Sequence, residues 1–307
     1  MWHVVSAEAL MDRGRLTELF RLARRMEQMG KRDKLHTALQ GKILATIFYE
    51  PSTRTRLSFE AGMIKLGGGV ISVENAVLAS SASKGESLED AVRVVSSFAD
   101  VIVLRHPEKG AAQAAAELSR VPVINAGDGS GEHPTQALYD LYTIHKEHKS
   151  LDNLHIALVG DLLYGRTVHS LLKFLPLYRS VQLSLVAPKR LRLPARYVQY
   201  LRGQGVKFKQ VTELAPVLPE LDVLYMTRIQ KERFASRKEY EAIKNVYVLD
   251  ENSLKSMKKD AVIMHPLPRV EEIAKTVDRD PRAAYFRQAE NGLYARMALL
   301  YWILKGR

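Results

Sequence analysis

The sequence predicts an α/β protein with two doubly wound domains, each a mainly parallel sheet flanked by helices, which are joined by two interdomain helices. Two observations carry this prediction. Near-continuous apolar and β-branched runs recur along the chain with helical patterns between them, as is typical of parallel strands buried on both faces. The same rhythm restarts in the second half of the 307 residues, a length that suits two domains.

The first set of elements occupies the first 130 residues. Its helices are predicted over 55–66, over 87–99 with Ser87 and Asp90 forming a capping box, and over 110–118. The apolar runs that predict its strands are 42–50, 69–75, 100–106 and 121–128.

The second set begins near residue 155. A helical pattern over 133–148 connects the two sets, and the apolar circumference of 292–306 indicates a buried last helix, packed on the first domain. We therefore expect one domain of 1–132 with 289–307 and another of 133–288. The predicted strands are 155–161, 181–187, 206–211, 222–228 and 261–266.

Composition narrows the class of protein. Hydrophobic residues make up 46% and charged residues 26%, no run reaches the length of a membrane helix, and residues 1–30 are too charged for a signal-peptide core, so a cytoplasmic protein without membrane contact is expected. The absence of cysteine excludes disulfides and thiolate chemistry.

The net charge is +12, and no acidic residue occurs in the basic stretch 162–212. This stretch is either a solvated cationic face or a surface for an acidic partner or effector. No nucleic-acid-binding motif accompanies the charge, so nucleic acid is not expected as a partner.

The segment after the first predicted strand concentrates hydrogen-bond donors. Ser52, Thr53, Arg54, Thr55 and Arg56 stand between an apolar run and a helical pattern. Hydroxyls and guanidiniums at a helix start suit an anion such as phosphate. A capping turn with solvated arginines is the alternative, and the turn alone does not decide between them.

Other polar residues also follow strand ends. Arg105 ends the third run, and the fourth leads through a glycine-rich turn to His133 and Gln136, which strengthens the anion-site interpretation. The polar segment 78–87 carries one cation, Lys84. It is either a flexible loop or a mobile arm that brings Lys84 to a ligand.

In the second half, Gly160 to Thr167 resembles a P-loop, but Arg166 stands where a P-loop has lysine, and no metal-binding aspartate follows a later apolar run. We interpret Arg166 as one more cation at a strand end. Arg228 and Gln230 follow another strand. The prolines of "HPLPR" (265–269) hold an extended turn whose carbonyl oxygens can face a ligand.

The sequence has no metal-ligand spacing, no Gly-x-Ser-x-Gly and no dinucleotide fingerprint. We therefore expect a cationic site without metal, cofactor or covalent nucleophile.

Seven motifs together resemble one family. The chain is similar to the aspartate branch of the aspartate/ornithine carbamoyltransferases over nearly its whole length, and it lacks the cysteine that the ornithine branch carries in the motif matching "HPLPR". The motifs are "FYEPSTRTRLSFE", "KGESLED", "VLRHPEKGAA", "INAGDGSGEHPTQALYDLYTI", "VGDLLYGRTVHSL", "YMTRIQKERF" and "MHPLPR".

The resemblance implies transfer of a carbamoyl group from carbamoyl phosphate to L-aspartate, as a step in pyrimidine synthesis, directly and without a cofactor. It assigns 1–132 with 289–307 to carbamoyl phosphate and 133–288 to L-aspartate. The residues implied for carbamoyl phosphate are Ser52, Thr53, Arg54, Thr55, Ser80, Arg105, His133, Gln136, Leu267 and Pro268. Those implied for L-aspartate are Lys84, Arg166, Arg228, Gln230 and Leu267, and the catalytic set is Arg54, Thr55, Lys84, Arg105 and His133.

The resemblance also implies an assembly. Ser80 and Lys84 match a loop that reaches the site of a neighbouring subunit in a homotrimer, and a regulatory chain is a candidate partner. Domain closure, with the 133–148 and last helices as hinges, would complete the site. Leu163 stands where the family commonly has lysine, which puts in doubt an intersubunit ion pair there. Arg56, one turn inside its helix, is expected to be structural.

Two alternatives come from other classes. A chain that keeps the fold could serve as a non-catalytic scaffold, but every matched polar position is present. Nucleic-acid binding through the +12 charge would instead produce salt-sensitive retention on DNA.

Overall fold

The computed structural model describes residues 2–30, 37–76, 85–231, 234 and 236–306. The chain forms two compact units: Met1–Tyr142 with Glu290–Arg307, and Thr143–Ala289. The division falls inside two long helices rather than in loops. Ser80 and Lys84 lie outside the described residues.

The first unit is built on a four-stranded parallel sheet. Its strands are β1 (Ile43–Phe48), β2 (Gly69–Glu74), β3 (Val101–His106) and β4 (Val123–Asp128). The order across the sheet is β2, β1, β3, β4, and Phe48 at the end of β1 pairs with Arg105 of β3. Strands β1, β3 and β4 are almost wholly buried, which explains their near-continuous apolar sequences.

Helices pack around this sheet. They are α1 (Arg13–Gly30), α2 (Thr53–Lys65), α3 (Leu88–Val95), α4 (Ala111–Leu118) and α5 (Pro134–His148), which continues into the second unit. The cap predicted for α3 is present, since the Ser87 hydroxyl accepts a hydrogen bond from the Asp90 amide. The apolar positions of α1 recur at helical spacing, yet the sequence analysis placed no helix there.

The second unit contains a five-stranded parallel sheet. Its strands are β5 (His155–Val159), β6 (Gln182–Val186), β7 (Lys207–Val211), β8 (Val223–Met226) and β9 (Val262–Met264). The order across the sheet is β7, β6, β5, β8, β9, and the core of the unit includes Leu224, Met226 and Ile263 from the sheet. All nine predicted strands are therefore present, each within a few residues of its expected bounds.

The last helix, α10 (Tyr285–Lys305), begins seven residues before the predicted start at Gly292. Its first two turns carry Arg287 and Glu290 on a polar face, so they lack the apolar circumference that marked the later turns. The remaining helices are α6 (Arg166–Phe174), α7 (Ala195–Gly203), α8 (Arg237–Glu241), α9 (Glu251–Lys255) and α10 (Tyr285–Lys305).

In the part of the chain that the structure describes, no helix combines the length and apolarity needed to cross a bilayer.

Candidate active site

The turn between β1 and α2 presents a set of hydrogen-bond donors. Ser52 occupies the N-cap position of α2, and among the described residues its hydroxyl makes no capping hydrogen bond. The amides of the first helical turn have no partner one turn earlier in the helix. Thr53 and Arg54 are exposed, whereas Thr55 is buried. The turn therefore offers hydroxyls, amides and one guanidinium to an anion.

Arg56 is structural, as predicted. Its guanidinium lies 3.2 Å from a Glu60 carboxylate oxygen and 2.7 Å from one of Glu74. These ion pairs tie α2 to the end of β2, so the guanidinium is held by protein carboxylates.

Arg105 lies beside the turn because β1 and β3 are neighbours in the sheet. The Tyr49 amide donates to the Arg105 carbonyl at 2.9 Å. The Arg105 guanidinium donates to the Ala126 carbonyl at 3.2 Å and forms an ion pair with Glu50 at 3.4 Å. These contacts orient a mostly buried guanidinium at the carboxyl end of the sheet.

The loop after β4 is fixed around Asp128. The Asp128 carboxylate accepts hydrogen bonds from the amides of Gly110 and Glu132, both at 2.8 Å, and from the Asn125 side chain at 3.1 Å. Gly129 has a φ of +49°, and a Cβ there would lie 2.3 Å from the Pro107 carbonyl oxygen. The loop therefore needs glycine at this position to reach the start of α5.

His133 and Gln136 stand at the start of α5, and both are buried. The Gln136 amide nitrogen donates to Asp140 at 2.8 Å, and its oxygen accepts from the Tyr139 hydroxyl. Burial raises the pKa of Tyr139, so its hydroxyl keeps the proton that it donates. An amide nitrogen has two N–H groups, and the hydrogen bond to Asp140 uses one of them.

Sequence reasoning missed Arg296 of α10. Its guanidinium is buried, donates to the Ser58 hydroxyl, and lies over the rings of Phe59 at 5.1 Å and Tyr139 at 5.0 Å. Burial lowers the pKa of Arg296, and the positive charge of Arg54 acts in the same direction. The one arginine within the apolar stretch 292–306 of the sequence was the available signal.

In the second unit, Arg166 begins α6 after a turn held by Asp161. This buried carboxylate accepts from the Tyr164 amide at 2.9 Å and from the Gln230 side chain at 3.2 Å. Burial raises the pKa of Asp161. A Cβ at Gly160, whose φ is +114°, would lie 2.3 Å from the Thr227 carbonyl oxygen. Asp161, also missed from the sequence, thus links the turn of Arg166 to Gln230.

Three adjacent strands of this sheet lead to the residues expected to bind L-aspartate. Arg166 follows β5, Arg228 and Gln230 follow β8, and the Leu267–Pro268 segment follows β9. Arg166 and Arg228 are half-buried. Carboxyl ends of parallel strands meet at one edge of a sheet, so these groups gather at one edge of the second unit.

The described residues contain no group of three or more histidine, cysteine, aspartate or glutamate side chains placed to hold a metal ion. Both sheet edges present hydroxyl, amide, imidazole or guanidinium donors, while the carboxylates of Glu50, Asp128 and Asp161 accept from neighbouring protein groups. Such donors bind oxyanions and carboxylates.

Comparison with known proteins covers both halves of the chain. Residues 3–146 match the family model described as the carbamoyl-P binding domain of aspartate/ornithine carbamoyltransferase, and residues 152–303 match that of its Asp/Orn binding domain. The aspartate carbamoyltransferase catalytic subunit of Thermococcus onnurineus is 53% identical over 283 residues, which are 92% of this chain and 90% of that protein.

Solved structures agree. The catalytic subunit of M. jannaschii aspartate transcarbamoylase is 48% identical with a TM-score of 0.92, covering 99% of this chain and 98% of that one. Aspartate transcarbamoylase from Trypanosoma cruzi, in complex with carbamoyl phosphate and aspartate, is 42% identical with a TM-score of 0.92, covering 98% and 95%. The chain belongs to the aspartate/ornithine carbamoyltransferase family, and within it to the aspartate carbamoyltransferase catalytic chains.

Proposed function

We propose that this chain transfers the carbamoyl group of carbamoyl phosphate to L-aspartate, which gives N-carbamoyl-L-aspartate and phosphate, in de novo pyrimidine (UMP) synthesis. The observation that carries the proposal is that each unit gathers anion-binding groups at the carboxyl edge of its own sheet. The two groups of donors suit two anionic substrates. The match to both family domains agrees with a two-substrate enzyme.

Carbamoyl phosphate is assigned to the domain 1–132 with 289–307. The hydroxyls and first-turn amides at 52–55 would hold the phosphate, with the Arg54 guanidinium extending to the bond that breaks. Thr55, Arg105 and His133 would face the carbonyl oxygen of the carbamoyl group, with Gln136 beside them at the carbamoyl end. The fixed guanidinium of Arg105 and the buried start of α5 support this assignment, since preorganised donors stabilise developing charge most effectively.

L-aspartate is assigned to the domain 133–288. Arg166, Arg228 and Gln230 would bind its two carboxylates, and the carbonyl groups of Leu267 and Pro268 would face the amino and carbamoyl nitrogens. The hydrogen bond between Gln230 and Asp161 supports a role for Gln230 as an oriented donor.

The chemistry needs electrostatic stabilisation and positioning. The neutral amine of aspartate attacks the carbamoyl carbon, the carbon–nitrogen bond forms, and the carbon–oxygen bond to phosphate breaks with its electron pair leaving on phosphate. The proton that the amine nitrogen loses is taken up by the departing phosphate. Negative charge develops first on the carbonyl oxygen and then on phosphate, and the guanidiniums offset both. The two anionic substrates repel each other when they are held close together, which explains why several arginines are assigned to bind them. Transfer is direct, without a covalent enzyme intermediate or a cofactor.

The active enzyme is a homotrimer in which Ser80 and Lys84 serve the site of a neighbouring subunit. The test is to mix Lys84→Ala and Arg54→Ala chains. Shared sites predict partial recovery of activity after chain exchange, and no recovery would contradict sharing. A regulatory chain is a further candidate partner. We expect this protein to contact neither nucleic acid nor membranes, and its cytoplasmic location stays a prediction.

The function is tested by measuring phosphate release from carbamoyl phosphate with L-aspartate or L-ornithine as acceptor. We expect release that depends on L-aspartate and saturates with its concentration. Release with ornithine alone would refute the aspartate assignment, and no release with either acceptor would favour the scaffold alternative.

A further inference from the structure

His265 and Glu272 form a buried pair behind the segment expected to contact the acceptor amine. The His265 side chain is 1% exposed and that of Glu272 is 8% exposed. The His265 Nδ1 atom accepts a hydrogen bond from the Leu267 amide at 2.8 Å. Because Nδ1 acts as the acceptor, the proton of a neutral imidazole must be on Nε2.

The Nε2 atom faces a carboxylate. It lies 2.7 Å from Glu272 Oε1. The other oxygen, Oε2, accepts from the amides of Val270 and Glu271, both at 3.1 Å. Burial alone would raise the pKa of Glu272, but the imidazole and backbone amides outweigh it and lower that pKa, so the carboxylate is ionised at neutral pH.

The main chain at His265 is held separately. Its amide donates to the Gln288 side-chain oxygen at 2.9 Å. The ring is therefore fixed at its backbone, at Nδ1 and beside Nε2, and it has little freedom to turn.

Leu267 has a backbone conformation that leucine rarely adopts. Its φ is +54°, in the left-handed region, and its amide is the group that donates to His265. Strained conformations persist only where surrounding contacts enforce them. The direction of the Leu267 carbonyl depends on this backbone conformation. The hydrogen bond from the Leu267 amide to the imidazole therefore helps to fix the direction of that carbonyl.

We propose that His265 and Glu272 are positioning residues for the acceptor amine: they hold the Leu267 amide so that the carbonyls of Leu267 and Pro268 face the amino group of L-aspartate. This inference rests on the function proposed above. An amine whose N–H groups are held by two carbonyls directs its lone pair at the carbamoyl carbon. Neither residue touches a substrate, and both act through the main chain.

The test compares two substitutions at His265. His265→Ala removes the acceptor for the Leu267 amide, whereas His265→Asn places an amide oxygen near the position of Nδ1 and keeps an acceptor. We expect His265→Ala to reduce kcat/KM for L-aspartate about 10-fold or more while KM for carbamoyl phosphate changes less than about 2-fold, since orientation effects of this size follow small misplacements. His265→Asn should recover much of the loss.

Two further variants separate positioning from general stability. Glu272→Gln keeps the size of the side chain but removes its charge, and it should also lower kcat/KM for L-aspartate selectively; it carries the test if His265→Ala fails to fold. Tyr247→Phe is the matched control, because it loses one hydrogen bond of the same unit, from the Tyr247 hydroxyl to the Thr212 carbonyl, and none of the side-chain hydrogen bonds of His265 and Glu272 described above. It should leave KM for L-aspartate unchanged.

The inference would be overturned if KM for carbamoyl phosphate changed as much as kcat/KM for L-aspartate. It would also be overturned if neither His265→Ala nor Glu272→Gln selectively lowered kcat/KM for L-aspartate. Failure of His265→Asn to exceed His265→Ala would overturn it as well. Carbamoylation of L-aspartate by the wild-type protein is measured before any variant. If the wild type does not carbamoylate L-aspartate at all, the proposed function itself has failed.

Discussion

His169 is a buried histidine whose titration should control the acid stability of the second unit. Its side chain is 2% exposed, its Nε2 atom lies 2.9 Å from the Leu162 carbonyl oxygen, and its ring stacks on Tyr197 at 4.3 Å. Among the described residues, its Nδ1 atom has no hydrogen-bond partner. Burial lowers the pKa of His169 from 6.5 to about 4.

The size and sign of the effect follow from this shift. As pH falls through 6.5 the unfolded chain binds a proton at His169, whereas the folded chain does not until pH reaches about 4. Stability is therefore lost on acidification across this window. The difference between a pKa of 6.5 and one of about 4 corresponds to about 3 kcal/mol, of which about 2 kcal/mol is lost between pH 7 and pH 5.

The assay is urea unfolding of the full chain at pH 7 and pH 5, for the wild type and for His169→Gln. Glutamine does not titrate, and its amide nitrogen can still donate to the Leu162 carbonyl. The free energy of unfolding should fall by about 2 kcal/mol more in the wild type than in the variant. If the two units unfold separately, the difference should be confined to the transition of Thr143–Ala289. Parallel pH dependence of the two proteins would refute the reasoning.

Three other predictions concern the first unit. Arg54→Ala should lower kcat about 100-fold, whereas Arg56→Ala should lower the melting temperature and leave kcat within a few fold; similar kcat losses in both would contradict their separate roles. Gly129→Ala should destabilise by about 1–3 kcal/mol in thermal unfolding, because alanine is strained at its positive φ and meets the Pro107 carbonyl; wild-type stability would contradict this. Inorganic phosphate should inhibit competitively against carbamoyl phosphate in initial-rate kinetics, and noncompetitive inhibition would place phosphate elsewhere.

The fold could be predicted from the sequence because most of its strands are buried on both faces. Runs such as Ile43–Phe48 and Val101–His106 are apolar almost throughout, so they stand out without knowledge of their neighbours. The helix Arg13–Gly30 was missed although its apolar residues follow helical spacing. The first turns of Tyr285–Lys305 were missed because exposed polar residues on one face interrupt the apolar pattern of the buried face.

The candidate site was predictable where a residue follows a strand and unpredictable where its role depends on a distant partner. Ser52, Arg105 and Arg166 could be found from their place after apolar runs. Arg296 contacts Ser58 across 238 positions of sequence, and Asp161 contacts Gln230 across 69, so no local pattern joins them. The supporting residues therefore emerge only once the chain is folded.

Product identity in a competition experiment tests the central claim most directly. The protein is incubated with ¹³C-labelled carbamoyl phosphate and equal concentrations of L-aspartate and L-ornithine, and the labelled products are followed by NMR. We predict that the label appears in N-carbamoyl-L-aspartate at a rate proportional to enzyme concentration. Label found mainly in the carbamoylated ornithine, or only in products of spontaneous decomposition, would contradict the account.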